Sequence, residues 1–174
     1  MNHFRFIKNI SLALVAALFG ITTTLQAQNT SSVRVSATLK TEHDDPKGSI
    51  TEVVKKNLEI EVYGSAAVQG EVKITCTFFS DDLATKKITA MKLDNLRATL
   101  VAGKSTPLKS PVVTFSFTPE HSEQSGTGNR ARYKRVDAVG KRYHGWAVQV
   151  YSADRLVGEV YSLPALKTLM NRDR

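Results

Sequence analysis

The stretch GWAVQVYSADRLVGEVY, residues 145–161, decides the fold class. Apolar side chains alternate along its first half, with Trp146, Val148 and Val150 on one face. Turn residues follow at 152–154, and a second apolar run closes the stretch. Alternation with a period of two on both sides of a short turn predicts a β-hairpin. Trp146 is the only tryptophan, and a large aromatic side chain at the start of a strand suits the centre of a β-sandwich core.

Similar alternation elsewhere in the chain predicts further strands, at 33–40, 50–54, 58–63, 72–79, 113–117 and 131–139. Weaker patterns at 88–93 and 97–102 leave a strand or a short helical turn open. Polar, Pro-containing or Gly-containing stretches predict loops at 42–48, 107–111 and 120–129. The spacing indicates an all-β fold, an immunoglobulin-like β-sandwich of about seven to nine strands, with a closed barrel as the alternative.

The end of the chain has a different period. Leu163, Leu166, Leu169 and Met170 are three and four residues apart or adjacent, which places them on one apolar stripe of a short C-terminal helix. Ser162 precedes this stripe and is a candidate N-cap. The helix is expected to fold back onto the sandwich.

The first 27 residues have the features of a secretory signal peptide. Two basic residues precede a twelve-residue apolar run at 10–21, and small and polar residues follow up to Ala27. The run is shorter than the about 20 residues of a membrane span. The sequence therefore predicts export to the periplasm, the cell surface or the medium, with residues 28–174 as a single β-sandwich domain. Cys76 is the only cysteine and lies within an alternating apolar set, so it is expected to be a small core residue.

No motif for catalysis or for a cofactor is present in the sequence. The adjacent acidic pairs Asp44–Asp45 and Asp81–Asp82 are typical of turns, where Asp binds its own backbone. A calcium site at either pair needs further oxygen ligands that the sequence does not place. We therefore expect a protein that is not an enzyme and has no cofactor and no metal, and we rank a hydrolase with an unrecognised site last.

The strongest candidate for binding is a basic segment between residues 130 and 142. The segment contains one acidic residue, Asp137, and six basic residues. The basic residues are Arg130, Arg132, Lys134, Arg135, Lys141 and Arg142. In an extended strand, the first three would lie on one face and could bind a polyanion such as an anionic glycan. The alternative is a solvated outer face or a protected edge strand. Nucleic acid is not an expected partner, because the protein is predicted to be exported and no recognition module is present.

A second candidate is a protein interface at a sheet edge or at aromatic side chains. Four aromatic residues lie opposite the apolar sets, namely Tyr63, Phe79, Tyr151 and Tyr161. Exposed tyrosines are common at interfaces. The alternative is a second buried face, covered by the other sheet or by the C-terminal helix.

Three segments of the chain resemble a known group of proteins: NLEIEVYG at 57–64, EVKITCTFF at 71–79, and YHGWAVQVYSADRLVGEVYSLPALKTLM at 143–170. They are similar to small secreted immunoglobulin-like β-sandwich proteins of bacteria, some of which are linked to type IV pilus systems. The resemblance implies a β-sandwich without an active site and a role in surface assembly or adhesion. It transfers no functional residues.

Together these observations predict an exported, non-enzymatic interaction module in cell-surface or type IV pilus assembly or adhesion. Its expected partner is an envelope or pilus protein. The alternative is binding of an anionic glycan or other polyanion through the basic segment. The oligomeric state stays open.

Overall fold

The structure, a computed structural model, describes residues 32–126 and 132–172. The predicted signal peptide lies outside the described residues. The described chain forms ten strands and one helix: β1 Arg34–His43, β2 Glu52–Tyr63, β3 Gly70–Asp82, β4 Lys87–Leu100, β5 Ser105–Lys109, β6 Val113–Thr118, β7 His121–Ser125, β8 Arg132–Val136, β9 Val139–Ser152, β10 Arg155–Tyr161 and α1 Pro164–Arg172. The predicted fold class, an all-β sandwich with a short C-terminal helix, is confirmed.

The strands form two antiparallel sheets and a separate ribbon. In the first sheet β1 pairs with one side of β2, while β5 and β6 pair with the other side. The second sheet has the order β4-β3-β9-β10. A short pairing between β6 and β9, at Phe117–Gly140 and Thr118–Val139, joins the two sheets. β7 and β8 pair only with each other among the described strands.

The main core consists of side chains at alternate positions of strands from both sheets. The buried apolar residues of β2, β3 and β9 are Leu58, Ile60 and Val62, then Val72, Ile74, Cys76 and Phe78, then Trp146, Val148 and Val150. Each fully buried side chain of this size stabilises the fold by about 1.5–3 kcal/mol. The predicted core positions, with Trp146 and Cys76 among them, are therefore confirmed.

The β-hairpin predicted at residues 145–161 is present in the structure. β9 pairs with β10, and Ala153 and Asp154 have φ values of 46° and 63° in the two-residue turn between them. Positive φ at both turn residues matches the twist of the flanking strands. Residues 145–150 of β9 are buried on both faces, because Ala147 packs with Phe79, Leu166 and Met170 in a second cluster under α1.

α1 begins at Pro164, a residue that suits the first turn of a helix. The prediction that Ser162 caps this helix is wrong. Its hydroxyl accepts a hydrogen bond from the Trp146 N–H at 2.8 Å and donates to the Trp146 carbonyl at 3.1 Å. An ion pair of 2.6 Å between Lys167 and Glu159 also ties the helix to β10.

Several predicted boundaries differ from the structure. Residues 52–54 of the first predicted segment and all of 58–63 belong to the single strand β2, because polar residues between them still pair with β1 and β6. The weak pattern at 88–93 and residues 97–100 of the second pattern belong to β4, which has a bulge opposite Ile74–Cys76. That irregularity shifts the alternation and hides the strand.

Two predicted loops contain strands. Pro107 lies in β5, where it is tolerated because β5 pairs with β2 alone among the described strands. The polar stretch at 120–129 contains β7, whose pairing with β8 outweighs its low apolar content. The predicted loop at 42–48 begins two residues later than expected, since β1 continues to His43.

Candidate interaction surface

The predicted basic segment is divided between two strands. Arg132 and Lys134 are exposed and two residues apart on β8, so they share a face of the β7–β8 ribbon. Lys141 and Arg142 lie on β9, after the break at residues 137–138. Arg130 lies outside the described residues. The structure therefore brings only part of the predicted stripe onto one face.

Acidic side chains from other elements face four of these cations. Arg135 forms an ion pair with Glu120. Arg142 lies 3.7 Å from Asp81. Lys134 is the cross-strand partner of Glu123, and Lys141 that of Asp82. Asp137 is the one acidic residue within the segment itself, so the local sequence does not reveal this compensation.

A groove of about 760 Å³ lies beside these pairs. Its charged and titratable lining consists of four carboxylates, three cations and one imidazole. The carboxylates are Asp81, Asp82, Glu120 and Asp137, the cations are Lys86, Arg135 and Arg142, and the imidazole is that of His144. His144 Nδ1 is 2.9 Å from the Asp81 carboxylate. The groove thus presents mixed charges, which is a poor surface for a polymer of one sign.

The acidic pairs are turn and pairing residues in the structure. Asp82 accepts a hydrogen bond from the Thr85 N–H at 2.9 Å, and this bond is the main cause that lowers the pKa of Asp82. Asp45 accepts from the Val53 N–H at 2.7 Å, and Asp44 forms an ion pair of 2.6 Å with Lys55. Among the described residues no cluster of three or more His, Cys, Asp or Glu side chains could hold a metal ion.

The four aromatic residues do not form one exposed face. Phe79 is buried under α1, and Tyr161 packs partly against the same cluster. The Tyr151 hydroxyl donates to the side chain of the buried Gln149 at 2.9 Å. Tyr63 is the most exposed of the four and bonds to Glu61 through its hydroxyl at 2.6 Å. The structure therefore agrees with the alternative given above, in which the C-terminal helix α1 covers part of this face.

A free sheet edge is the feature that sequence reasoning did not locate. β4 has 14 residues and pairs only with β3 among the described strands. It carries two exposed apolar side chains, Ile88 at 41% and Met91 at 48%. By contrast, the edges of β1 and β10 meet at their starts, where the Val33 N–H donates to the Val157 carbonyl at 3.1 Å. The weak alternation at 88–93 was the only signal of this edge in the sequence.

Two cavities lie on one face of β4. The first, of about 260 Å³, is lined by Phe79, Ile88, Ala90, Leu169 and Arg172. The second, of about 240 Å³, has two cations and two carboxylates in its lining, and its residues are Lys73, Thr75, Lys92, Asp94, Gln149, Tyr151, Asp154 and Met170. Residues of β4 and α1 contribute to the lining of both cavities, and we refer to the two cavities together as the groove between β4 and α1.

Lys56 is a second feature, after the free edge of β4, that the sequence analysis did not identify. It lies on the inner face of β2, where its Nζ is 2.8 Å from the Thr41 hydroxyl and 4.4 Å from the centre of the Tyr143 ring. Burial lowers the pKa of Lys56. Its position two residues before Leu58 was the available signal, because alternate strand residues share a face.

No helix of the described part of the chain is long and apolar enough to cross a membrane. No protein-family model matches the chain, and no curated protein matches it.

Three solved structures are similar to the chain at low identity. The putative ApaA protein from Bordetella pertussis is 8% identical with a TM-score of 0.36, and the match covers 75% of this chain and 94% of that one. The structural genomics target SoR45 is 14% identical with a TM-score of 0.35, over 79% and 91% of the two chains. A protein from Akkermansia muciniphila is 12% identical with a TM-score of 0.32, over 75% and 70%. Similarity at this level carries no argument about function.

Proposed function

We propose that the protein is an exported, non-enzymatic interaction module that binds a partner protein through the free edge of β4. Its place would be in cell-surface or type IV pilus assembly or adhesion, with an envelope or pilus protein as the partner. The observation that carries the proposal is the long strand β4, which lacks a second neighbour among the described strands and exposes two large apolar side chains.

A free strand edge has a chemical reason to bind. Its outer row of backbone N–H and C=O groups has no partner in the sheet, and an extended segment of another chain can pair with that row. Exposed apolar side chains beside the row add area that binding removes from water. In β4 the longest regular part of this edge is residues 87–93, because the bulge interrupts the pairing with β3 between Leu93 and Leu96.

Binding of a polyanion through the basic segment is the second candidate. Arg132 and Lys134 support it, because both are exposed on β8. The ion pairs of Arg135 with Glu120 and of Arg142 with Asp81 reduce the positive charge that a polyanion would meet. The charge pattern of the described residues therefore favours a protein partner.

The experiment is a pull-down from cell-envelope extract with the chain from residue 28, at low and at high salt. One variant carries Ile88→Lys and Met91→Lys, which places charges on the β4 edge. Its matched control carries Ile50→Lys and Val112→Lys, at apolar side chains with similar exposure of 51% and 59%. Both variants add the same charge, so only the location differs.

If the proposal is correct, the unchanged chain retains a defined envelope protein at high salt. The β4 variant no longer retains this protein, and the control variant still does. Binding that disappears at high salt, survives the β4 variant and is abolished by Arg130→Ala, Arg132→Ala and Lys134→Ala together would contradict it. That result would identify the basic segment as the site and an anionic glycan or other polyanion as the ligand.

A further inference from the structure

We infer that the groove between β4 and α1 receives an extended partner segment with one large apolar side chain and an acidic side chain two residues away. This inference rests on the proposed function, because it specifies the chemistry of the protein segment that pairs with the β4 edge.

The apolar requirement comes from the first cavity. Phe79 forms part of its lining from β3, Ile88 and Ala90 from β4, and Leu169 from α1. Ile88 is 41% exposed, so a large apolar surface meets water there in the free protein. With a volume of about 260 Å³, the cavity has room for one large side chain. Filling it with an apolar group would remove this surface from water.

The spacing follows from the strand geometry. Ile88, Ala90, Lys92 and Asp94 are alternate residues of β4 and line the two cavities in order along the strand. A strand added at about 4.8 Å from β4 would place every second side chain on this same face. A side chain opposite Ala90 would stand at the first cavity, and a side chain two residues away would stand opposite Lys92.

The acidic requirement applies to the position opposite Lys92 and not to the whole groove, because the second cavity has mixed charge in its lining, from Lys73 and Lys92 and from Asp94 and Asp154. Within the described part of the chain no ion pair joins Lys92 or Arg172 to an acidic side chain. Arg172 lines the first cavity, which has no acidic residue in its lining. A carboxylate directly opposite Lys92 forms a favourable cross-strand pair, whereas a cation there is repelled.

The whole chain adds a long-range preference of the same sign. Its formal net charge is +8 at pH 7, or +6 without Arg5 and Lys8 of the predicted signal peptide, so an acidic segment is attracted before contact. Attraction of this kind weakens as salt rises, while the apolar contact in the first cavity does not.

The test uses capped eight-residue peptides with a Thr/Val background, in which Leu and Glu are two positions apart. Peptides with both orders of Leu and Glu are included, since an added strand can run in either direction. In one control peptide Lys replaces Glu, and in the other Ser replaces Leu. Binding is measured by fluorescence anisotropy, and amide hydrogen exchange reports whether residues 87–93 become protected.

The charge is tested on the protein side with the variant Lys92→Glu and Arg172→Glu. Its matched control is Arg132→Glu and Lys134→Glu, which makes the same change in net charge on β8. The inference expects the Leu/Glu peptide to bind the first variant about tenfold more weakly and the control with little change. The peptide with Lys in place of Glu should regain binding to the first variant.

Equal binding of the Glu and Lys peptides, or equal loss in both charge variants, would overturn the inference. So would unchanged binding of the peptide with Ser in place of Leu. The proposed function fails separately: it is contradicted if the Ile88→Lys and Met91→Lys variant keeps its envelope partner. A partner that is lost with this variant while the Lys92→Glu and Arg172→Glu variant still binds it would leave the proposed function standing and refute the acidic partner.

Discussion

Ser162 and Trp146 are joined by three hydrogen bonds. The Ser162 N–H donates to the Trp146 carbonyl at 2.9 Å, and the Ser162 hydroxyl donates to the same carbonyl at 3.1 Å. The hydroxyl also accepts from the Trp146 N–H at 2.8 Å. These bonds fix the end of β10 and the start of α1 against β9, next to the indole that packs in the main core.

Replacement of Ser162 by Ala should destabilise the protein by about 1–3 kcal/mol, because the Trp146 N–H loses its side-chain acceptor in a partly buried place. Urea unfolding followed by circular dichroism measures this free energy. Ser36→Ala, on the exposed side of β1, is the control and should stay within about 0.5 kcal/mol of the unchanged protein. Equal effects of the two substitutions would show that the three bonds contribute nothing special.

Trp146→Ala should cost about 3–5 kcal/mol of unfolding free energy, because Trp146 is 8% exposed and its removal leaves a cavity in the core. Trp146→Phe retains an aromatic ring and should cost less. Circular dichroism is the readout, since the chain has no other tryptophan for fluorescence. A near-neutral alanine variant would be incompatible with the core position of this side chain.

Gly140→Ala should be more destabilising than Gly70→Ala. Both glycines have positive φ, 99° and 91°, so alanine at either position carries backbone strain of about 1–2 kcal/mol. At Gly140 the added Cβ would also lie 2.5 Å from the Ser116 carbonyl oxygen, whereas nothing lies within 4 Å at Gly70. Thermal unfolding of the two variants should show a clearly lower Tm for Gly140→Ala. Similar values would mean that the close approach of β6 to β9 does not constrain this position.

Alkaline pH should destabilise the protein through Cys76. Burial raises the pKa of Cys76 from 9.0 to about 12. Its contribution is fully present below pH 9 and is lost as pH rises toward 12, because only the unfolded thiol then ionises. The slope is about 1.4 kcal/mol per pH unit, and burial of Tyr143, whose pKa also rises to about 12, adds a slope of the same sign above pH 10.

The variant Cys76→Ala isolates the thiol. Its unfolding free energy should fall less steeply between pH 9 and pH 11 than that of the unchanged protein, by about 1.4 kcal/mol per pH unit. Urea titrations at several pH values give both slopes. The slope and not the absolute stability is the readout, because alanine also leaves a small cavity. Parallel slopes would show that the thiol does not stay protonated in the folded state.

Predictions from the sequence succeeded where the pattern is local. The alternation around Trp146 predicted the hairpin, and Cys76 was placed in the core from its apolar neighbours. They failed at boundaries where a polar residue or a proline stays within a strand, as Pro107 does in β5. There the strand exists because a neighbouring strand pairs with it. A short window of the sequence carries no information about that neighbour.

The candidate site was less accessible to sequence reasoning than the fold. The basic residues were found, but the acidic partner of Arg135 is 15 residues away at Glu120, and that of Arg142 is Asp81 in another strand. The free edge of β4 was not located at all, because an edge is defined by the neighbour that is missing and not by the residues of the strand itself.

The sequence by itself determined the all-β class, the hairpin and the core positions, because the period of two in a strand is written into consecutive residues. Only the tertiary structure decided that α1 covers Phe79, that acidic residues face much of the basic segment, and that β4 lies at an edge. These relationships join residues far apart in the chain. They depend on how the two sheets and the helix pack, and local periodicity carries no information about that packing.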